Sequence, residues 1–433
     1  MPTTVRSRPD ACPGVLSPHD AADGALARIR LPGGVVTAAQ LHAVADVADS
    51  LGDGALHLTS RGNLQLRGLD RDDPALVRRL AGAGLLPSPA HEKVRNVLAS
   101  PAGGITGGTA DVRGLAGALD RELCARPGLA GLPGRFLFAL DDGRGDVAAE
   151  RPDVCWIATG PEAGSLLVAG VDTGLACAPV DAPALLCEAA EAFLTVRTRA
   201  GDDARAWRAA EVPDAAARIR AAMPAGAPQH PDGAAGPHPP SHRTDASDPA
   251  ISASSPGDAS SPTTAGGDTH PSVGPLPRAD GGTTVGLAPV LGELSTDDAR
   301  LLADLAPSAV VTPWRTILLP DPHDPTAALG RLRAAGLVVD PGSPSLRVSA
   351  CAGRPGCAKS LSDVRTHARA VIDAGPGVPV HVAGCERRCG APHTPHADAV
   401  ATGPEHYALD GTAIGAADLA ATLHRPDPEE PRR

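Results

Sequence analysis

Four cysteines fall in two close pairs, Cys351-Ala-Gly-Arg-Pro-Gly-Cys357 and Cys385-Glu-Arg-Arg-Cys389. Four converging thiolates hold either a structural zinc ion or an iron–sulfur cluster. Zinc knuckles favour about two residues between paired cysteines, whereas the gaps here are five and three. Wider, unequal spacing suits ligands spread around a [4Fe–4S] cube. A zinc site and unrelated buried thiols are the alternatives. Disulfides are the weakest option in a chain with no secretory signal. Gly384 and Gly390 flank the second pair, where bare backbone could approach the sulfurs and donate N–H bonds to them.

Something must hold these two loops together. Leu346–Ser349 reads as extended chain, Lys359–Ile372 has helical spacing through Val364, Ala368 and Val371, and Val378–Val382 reads as a strand. Loops that follow neighbouring strands at one sheet edge bring four sulfurs to one centre.

The remaining sequence sets bounds. The chain has 433 residues, 42% hydrophobic but only 2% aromatic, so its cores must be built from Ala, Leu and Val. A net charge of −11 argues against nucleic-acid binding. Lys93 and Lys359 are the only lysines, leaving Arg as nearly the whole cationic complement. No apolar run is long enough to span a bilayer and no signal-like segment opens the chain, so a soluble, cytoplasmic protein is expected. Cys124, Cys155, Cys177 and Cys187 lie in apolar stretches and read as core, and Cys12 as a mobile thiol.

Residues 20–88 read β-α-β-β-α, the order of a ferredoxin-like half, with Thr37 capping its first helix. The order returns after residue 283, where Ser295 is the cap. Arg331-Leu-Arg-Ala-Ala-Gly-Leu337 matches Arg79-Leu-Ala-Gly-Ala-Gly-Leu85 at an offset of 252, which carries Arg95 onto Arg347 and Ala99 onto Cys351. The chain therefore reads as a duplication whose second copy holds the thiols. The expected fold is α+β and pseudo-twofold: ferredoxin-like halves at 20–88 and 283–340, and α/β domains at 89–215 and 341–425. Residues 224–275 hold Ile251 and Val273 as their only large aliphatics, so a disordered linker is expected at 216–282. Its histidines, His230, His238, His242 and His270, read as solvated.

Arg28, Arg30, Arg61, Arg95, Arg135 and Arg347 sit at strand ends or loops of the repeats, and a guanidinium's fork pairs bidentately with carboxylates. Together they would suit a polyacid; singly, each could be a solvated surface residue.

The C-x5-C and G-C-x3-C-G pattern resembles the cluster signature of the sulfite and nitrite reductase family. That resemblance implies a duplicated fold with two ferredoxin-like halves and two cluster- or tetrapyrrole-binding α/β domains. It implies a [4Fe–4S] cluster on Cys351, Cys357, Cys385 and Cys389. Arg28, Arg61, Gln65 and Arg95 match positions that contact tetrapyrrole carboxylates, and Arg30 and Arg347 are grouped with them as substrate-binding. Arg135 falls at a catalytic lysine of the reductases, while their second lysine is replaced by Leu137. Short length, Ala-Cys-Pro-Gly, Arg-Ile-Arg-Leu-Pro-Gly-Gly and Thr-Pro-Trp-Arg resemble a shorter branch that oxygenates a tetrapyrrole in aerobic cobalamin biosynthesis. For that branch the implied cofactors are the cluster and a mononuclear non-haem iron. Its implied partners are a tetrapyrrole substrate, O2 and an external NADH- or ferredoxin-linked electron donor. A reductase would carry sirohaem instead, and a non-catalytic electron-transfer protein is the third reading. His393 and His396 are candidates for the iron, with His91 and His381 less favoured.

Overall fold

Two strand–helix repeats exchange an edge strand, and that exchange builds the centre of the molecule. The computed structural model describes residues 12–199, 206–224 and 273–424. The first half runs β1 (His19–Ala21), β2 (Gly24–Ile29), β3 (Val35–Thr37), α1 (Ala38–Leu51), β4 (Ala55–Leu58), β5 (Leu64–Leu69) and α2 (Pro74–Gly82). The first α/β domain follows with β6 (Val97–Ala99), α3 (Leu115–Cys124), β7 (Phe138–Asp141), β8 (Val154–Gly160), β9 (Ala163–Val168), β10 (Val171–Cys177), α4 (Ala182–Arg199) and α5 (Ala215–Ala222). The second half holds β11 (Gly274–Pro277), β12 (Thr283–Leu287), β13 (Glu293–Ser295), α6 (Thr296–Leu305), β14 (Ser308–Val311), β15 (Ile317–Leu319) and α7 (Pro325–Ala334). The last domain holds β16 (Val348–Ala350), α8 (Val364–Ala374), β17 (Val380–Ala383), β18 (Ala397–Gly403), β19 (His406–Leu409), β20 (Thr412–Gly415) and α9 (Ala416–Leu423).

The first half's sheet, ordered β1-β2-β5-β4-β13, borrows β13 from the second half; the second's, β11-β12-β15-β14-β3, borrows β3 in return. Both exchanged strands lead directly into capped helices. Thr37 makes a full capping box with Gln40, and the Ser295 side chain accepts the Asp298 N–H. Helices α1 and α6 then pack in a single apolar core to which both halves contribute, including Val44, Val47, Leu294 and Leu302. The turn into β3 requires glycine at position 34: its φ is +74°, and a Cβ there would lie 2.0 Å from the Val311 carbonyl oxygen.

The α/β domains repeat one topology. Strands β6, β7 and β8 are parallel and continue antiparallel into β9 and β10; β16 to β20 do the same. Their hydrogen bonds correct the offset expected from sequence. The Cys351 N–H donates to Val382 O and the Ser100 N–H to Leu140 O, at the same point of each ladder. Cys351 therefore corresponds to Ser100, not Ala99, and Arg347 to Asn96, not Arg95, because the loop from Leu337 to Val348 is one residue shorter than that from Leu85 to Val97.

Order also enters the expected linker from both sides, as α5 after the first α/β domain and β11 on the edge of the second half's sheet. Ile219 of α5 is buried in the first domain's core. Residues 225–272, with the four histidines, lie outside the described residues. Among the described residues no helix is long and apolar enough to cross a membrane.

Candidate functional site

Cys351 leaves the C-terminal end of β16, and Cys385 follows β17 after Gly384. The Gly384 N–H donates to Cys351 Sγ at 3.2 Å, and no side chain fits at 384, since a Cβ would lie 1.9 Å from Ser360 Oγ. Tight turns hold the other sulfurs: Cys357 N–H donates to Gly353 O at 2.8 Å, and Arg388 N–H to Cys385 O at 3.1 Å. Burial raises the pKa of Cys351, against the backbone N–H groups of Gly384 and Gly353, with the charges of Cys357 and Cys385 adding to the rise. Cys389 is raised by burial and then by the other three thiols. The four thus share one electrostatic neighbourhood in which thiolates repel unless a cationic core lies among them.

Their spread tests which core fits. Around one zinc ion at about 2.3 Å per bond, sulfurs stand about 3.8 Å apart. Here no three of the four sulfurs all lie within 4.8 Å of one another. The wider arrangement, with N–H donors aimed at sulfur, fits a [4Fe–4S] cluster better than one ion.

The arginines divide into two groups. Across the first half's sheet, Arg28 pairs with Gln65, Gln65 with His57 and His57 with Glu293, so one face carries a polar row. Among the described residues, Arg28 Nε and Nε of the buried Arg30 are sealed from solvent without a hydrogen-bond partner. Arg30 donates to the carbonyls of Pro13 at 3.2 Å and Lys93 at 3.3 Å, and Arg61 to that of Arg135 at 3.1 Å. Burial lowers the pKa of Arg28, brings Arg30 to about 9 and brings Arg61 to about 10. Repulsion from Arg28 adds to the fall at Arg30, and repulsion from Arg208 and then Arg28 adds to it at Arg61, while the nearby charges of Cys12, Glu92 and Asp153 offset only part of it. Asp153 is itself paired with Arg208 at 2.7 Å. Under-neutralised, partly sealed guanidiniums are what a polycarboxylate ligand would complete.

Arg95, Arg347 and the Arg135 side chain are not brought to this group. Buried Arg95 forks onto Asp120 at 2.6 and 2.8 Å and reaches Leu85 O at 3.3 Å, which ties the first half to α3. Arg347 is exposed at the N-terminal end of β16, opposite to the cysteine end, and donates to Pro376 O at 3.2 Å. Arg135 is exposed with its guanidinium 5.9 Å from the Trp207 ring, and it is its carbonyl that serves Arg61. Leu137, two residues on, is buried.

Other residues join the two groups. Arg315, in the left-handed region at φ +60°, donates to Gly390 O at 2.9 Å beside the last thiol. Burial, then the charge of Arg365, lowers its pKa. Arg365 pairs with Glu293 at the end of the polar row and senses Cys351. Arg67 forks onto Asp23 at 2.9 Å and donates to Gly356 O in the first thiol loop. A sequence signal existed for Arg315 in Thr-Pro-Trp-Arg, but none for Arg67 or Arg365, whose partners are remote in the chain.

His393 is exposed, 3.9 Å from Glu150. His91 is buried among Ser88 and Arg126 O, away from the thiols. His381 is fully buried on β17, and burial followed by the charge of Arg315 brings its pKa to about 4, so it stands neutral.

A duplicated α+β scaffold with a thiol quartet and a cluster of largely buried arginines is the class of protein defined so far. Residues 19–83 match the nitrite/sulfite reductase ferredoxin-like half domain family. The chain has the fold of the Mycobacterium tuberculosis NirA protein, with a TM-score of 0.66 over 94% of this chain and 82% of that one, at 20% identity. It is 35% identical over 140 residues to ferredoxin–nitrite reductase of Synechococcus elongatus, covering 30% of this chain and 27% of that protein. It is 41% identical over 81 residues to precorrin-3B synthase of Sinorhizobium sp., covering 19% of this chain and 17% of that one. The matches thus span about a quarter or less of the length of these curated relatives.

Proposed function

We propose that this chain is an oxidoreductase of the precorrin-3B synthase type, hydroxylating precorrin-3A at C20 and closing a γ-lactone from the ring A acetate. One atom of O2 enters the substrate and the other leaves as water, with two electrons and two protons supplied through an external donor. Arg28, Arg30 and Arg61, with Gln65, would hold the macrocycle's carboxylates; binding by several forks at once fixes its orientation. A [4Fe–4S] cluster on Cys351, Cys357, Cys385 and Cys389 would supply single electrons when bound. Leu137 carries this reading over a reductase. A buried apolar side chain stands where the resemblance places a second lysine, and it cannot bind or protonate a small inorganic anion. The partial likeness to precorrin-3B synthase agrees with it.

A sirohaem-dependent nitrite or sulfite reductase is the second reading, favoured by the longer match to ferredoxin–nitrite reductase. The visible spectrum of the purified protein separates them. Broad brown absorption without a Soret-type band is expected; an isobacteriochlorin spectrum would establish the reductase. Anaerobic protein given precorrin-3A and a reductant, then O2, should yield a product one oxygen atom heavier. Unchanged substrate with a loaded cluster would count against the oxygenase.

A further inference from the structure

A carboxyl of the first α/β domain and an imidazole beyond the last thiol face each other, and no step so far uses them. Glu150 closes the short helical turn Ala148–Glu150 before β8, with a side chain 13% exposed, while the His393 side chain is 50% exposed. Trp314 Nε1–H donates to Glu150 Oε1 at 3.0 Å, and Glu150 Oε2 lies 3.9 Å from His393 Nε2. The duplication itself places Trp314. It stands three residues after Val311 and three before its strand partner Ile317, as Arg61 stands between the paired Leu58 and Leu64. The residue that follows is left-handed in both copies, Gly62 at φ +61° and Arg315 at φ +60°. Trp314 is thus the second half's counterpart of Arg61, with an uncharged donor in place of a guanidinium. An indole N–H serves a neutral and an ionised carboxyl alike, whereas an arginine fork would lock Glu150 as the carboxylate.

We propose that Glu150 and His393 form a proton relay: His393 Nε2 takes a proton from solvent and passes it to Glu150 Oε2, and the carboxyl delivers it to the arginine-lined site. The surroundings bring the two groups' proton affinities together. Burial raises the Glu150 carboxyl, against the Trp314 N–H and the charges of Arg151 and Arg315. Burial lowers His393, and the charges of Arg151 and then Arg208 lower it further. A proton therefore passes between them at little cost in free energy. Arg208 also repels Arg61, and Arg315 donates to Gly390 O, so the pair adjoins both the arginine group and the last thiol loop. The more exposed His393 meets solvent and the more buried Glu150 is the inner member. Delivery to the reaction rests on the oxygenase reading, in which two protons leave with one oxygen atom as water. Each transfer leaves Glu150 as a carboxylate held by the Trp314 N–H, and His393 restores its proton. Exchange within the pair does not depend on that reading.

The test uses the full chain with its cluster reconstituted. Infrared difference spectra across a pH series should show a protonated carboxyl that titrates above the range of a solvated glutamate. That band should vanish in Glu150→Gln and move to higher pH in His393→Gln, where no imidazolium favours the carboxylate. Glu150→Gln keeps an amide oxygen for the Trp314 N–H; it should slow conversion of precorrin-3A by about 100-fold with cluster absorption and substrate affinity unchanged. His393→Ala should also be slowed and should recover when imidazole is added to the solution, which a merely structural histidine would not do. A Glu150 band in the ordinary carboxylate range, wild-type rates in both variants, or slowing of His393→Ala that imidazole leaves uncorrected would overturn the relay. A wild type that shows the displaced band yet leaves precorrin-3A unchanged would sustain the proton pair and sink the oxygenase reading instead.

Discussion

The two α/β domains are one topology put to two uses. Where the second domain sets Cys351 after its first strand, the first domain sets Ser100; where the second continues into Gly384 and Cys385, the first continues into Asp142 and Gly143. The first domain's loops are closed on themselves. Ser100 donates to Asp146 at 2.6 Å, Asp141 accepts the N–H groups of Gly143, Gly145 and Ala148, and Arg144 forks onto Asp142 at 2.7 to 3.0 Å. The second domain's loops instead hold four thiols in one electrostatic neighbourhood. The ferredoxin-like sheets differ in the same sense. The row Arg28, Gln65, His57 and Glu293 corresponds to Gly286, Leu318, Val310 and Val35 in the second half. Duplication supplied two equivalent faces on each sheet pair; one of each pair is polar and under-satisfied, the other apolar. The residues assigned to the proposed function lie on or beside the under-satisfied faces, where local stability was not maximised.

Removing a sulfur should break this contrast most. Cys351→Ser should abolish the brown absorption and cluster-bound iron, and with them any turnover, whereas Ser100→Ala should leave both intact. A Cys351→Ser protein that keeps full iron content would refute the thiol assignment.

Arg95 and Arg28 sharpen it next, because sequence reading groups them and the structure separates them. Arg95→Leu strands the half-buried Asp120 carboxylate and should cost about 2 to 3 kcal/mol of stability, with tetrapyrrole affinity per folded molecule unchanged. Arg28→Gln removes a charged group whose Nε has no hydrogen-bond partner among the described residues. It should lower affinity for a carboxylated tetrapyrrole about 10- to 100-fold and leave thermal stability unchanged or raised. Denaturant titration and equilibrium binding, run on both variants, check the pair. Exchanged phenotypes would show that Arg28 is structural.

Much of this was legible before any coordinates. Helix caps at Thr37 and Ser295, the strand patterns and the duplication are local signals, written within a few residues of where they act. The cysteine spacing is local too. What sequence missed depends on register and on partners far along the chain. A one-residue difference in loop length shifted Cys351 from Ala99 onto Ser100, and no periodicity reports that. Arg95 reads like Arg28 until Asp120 is placed beside it.

The acidic loop of the first domain offers the finest test of the contrast. Burial, followed by the charge of Asp141, raises the Asp146 carboxyl from about 3.8 to about 7. Between those values the folded chain holds a proton that the unfolded chain has released, so stability falls as pH rises through that window and levels off above it. Asp146→Asn has no proton to lose, and its amide oxygen can still accept from Ser100 Oγ and the Val147 N–H. The melting temperature of the wild type should therefore fall relative to the variant by a few degrees between about pH 4 and 7. Parallel melting curves across that range would mean that Arg144, 4.0 Å away, neutralises Asp146 in the fold, and that this loop is as well satisfied electrically as it is sterically.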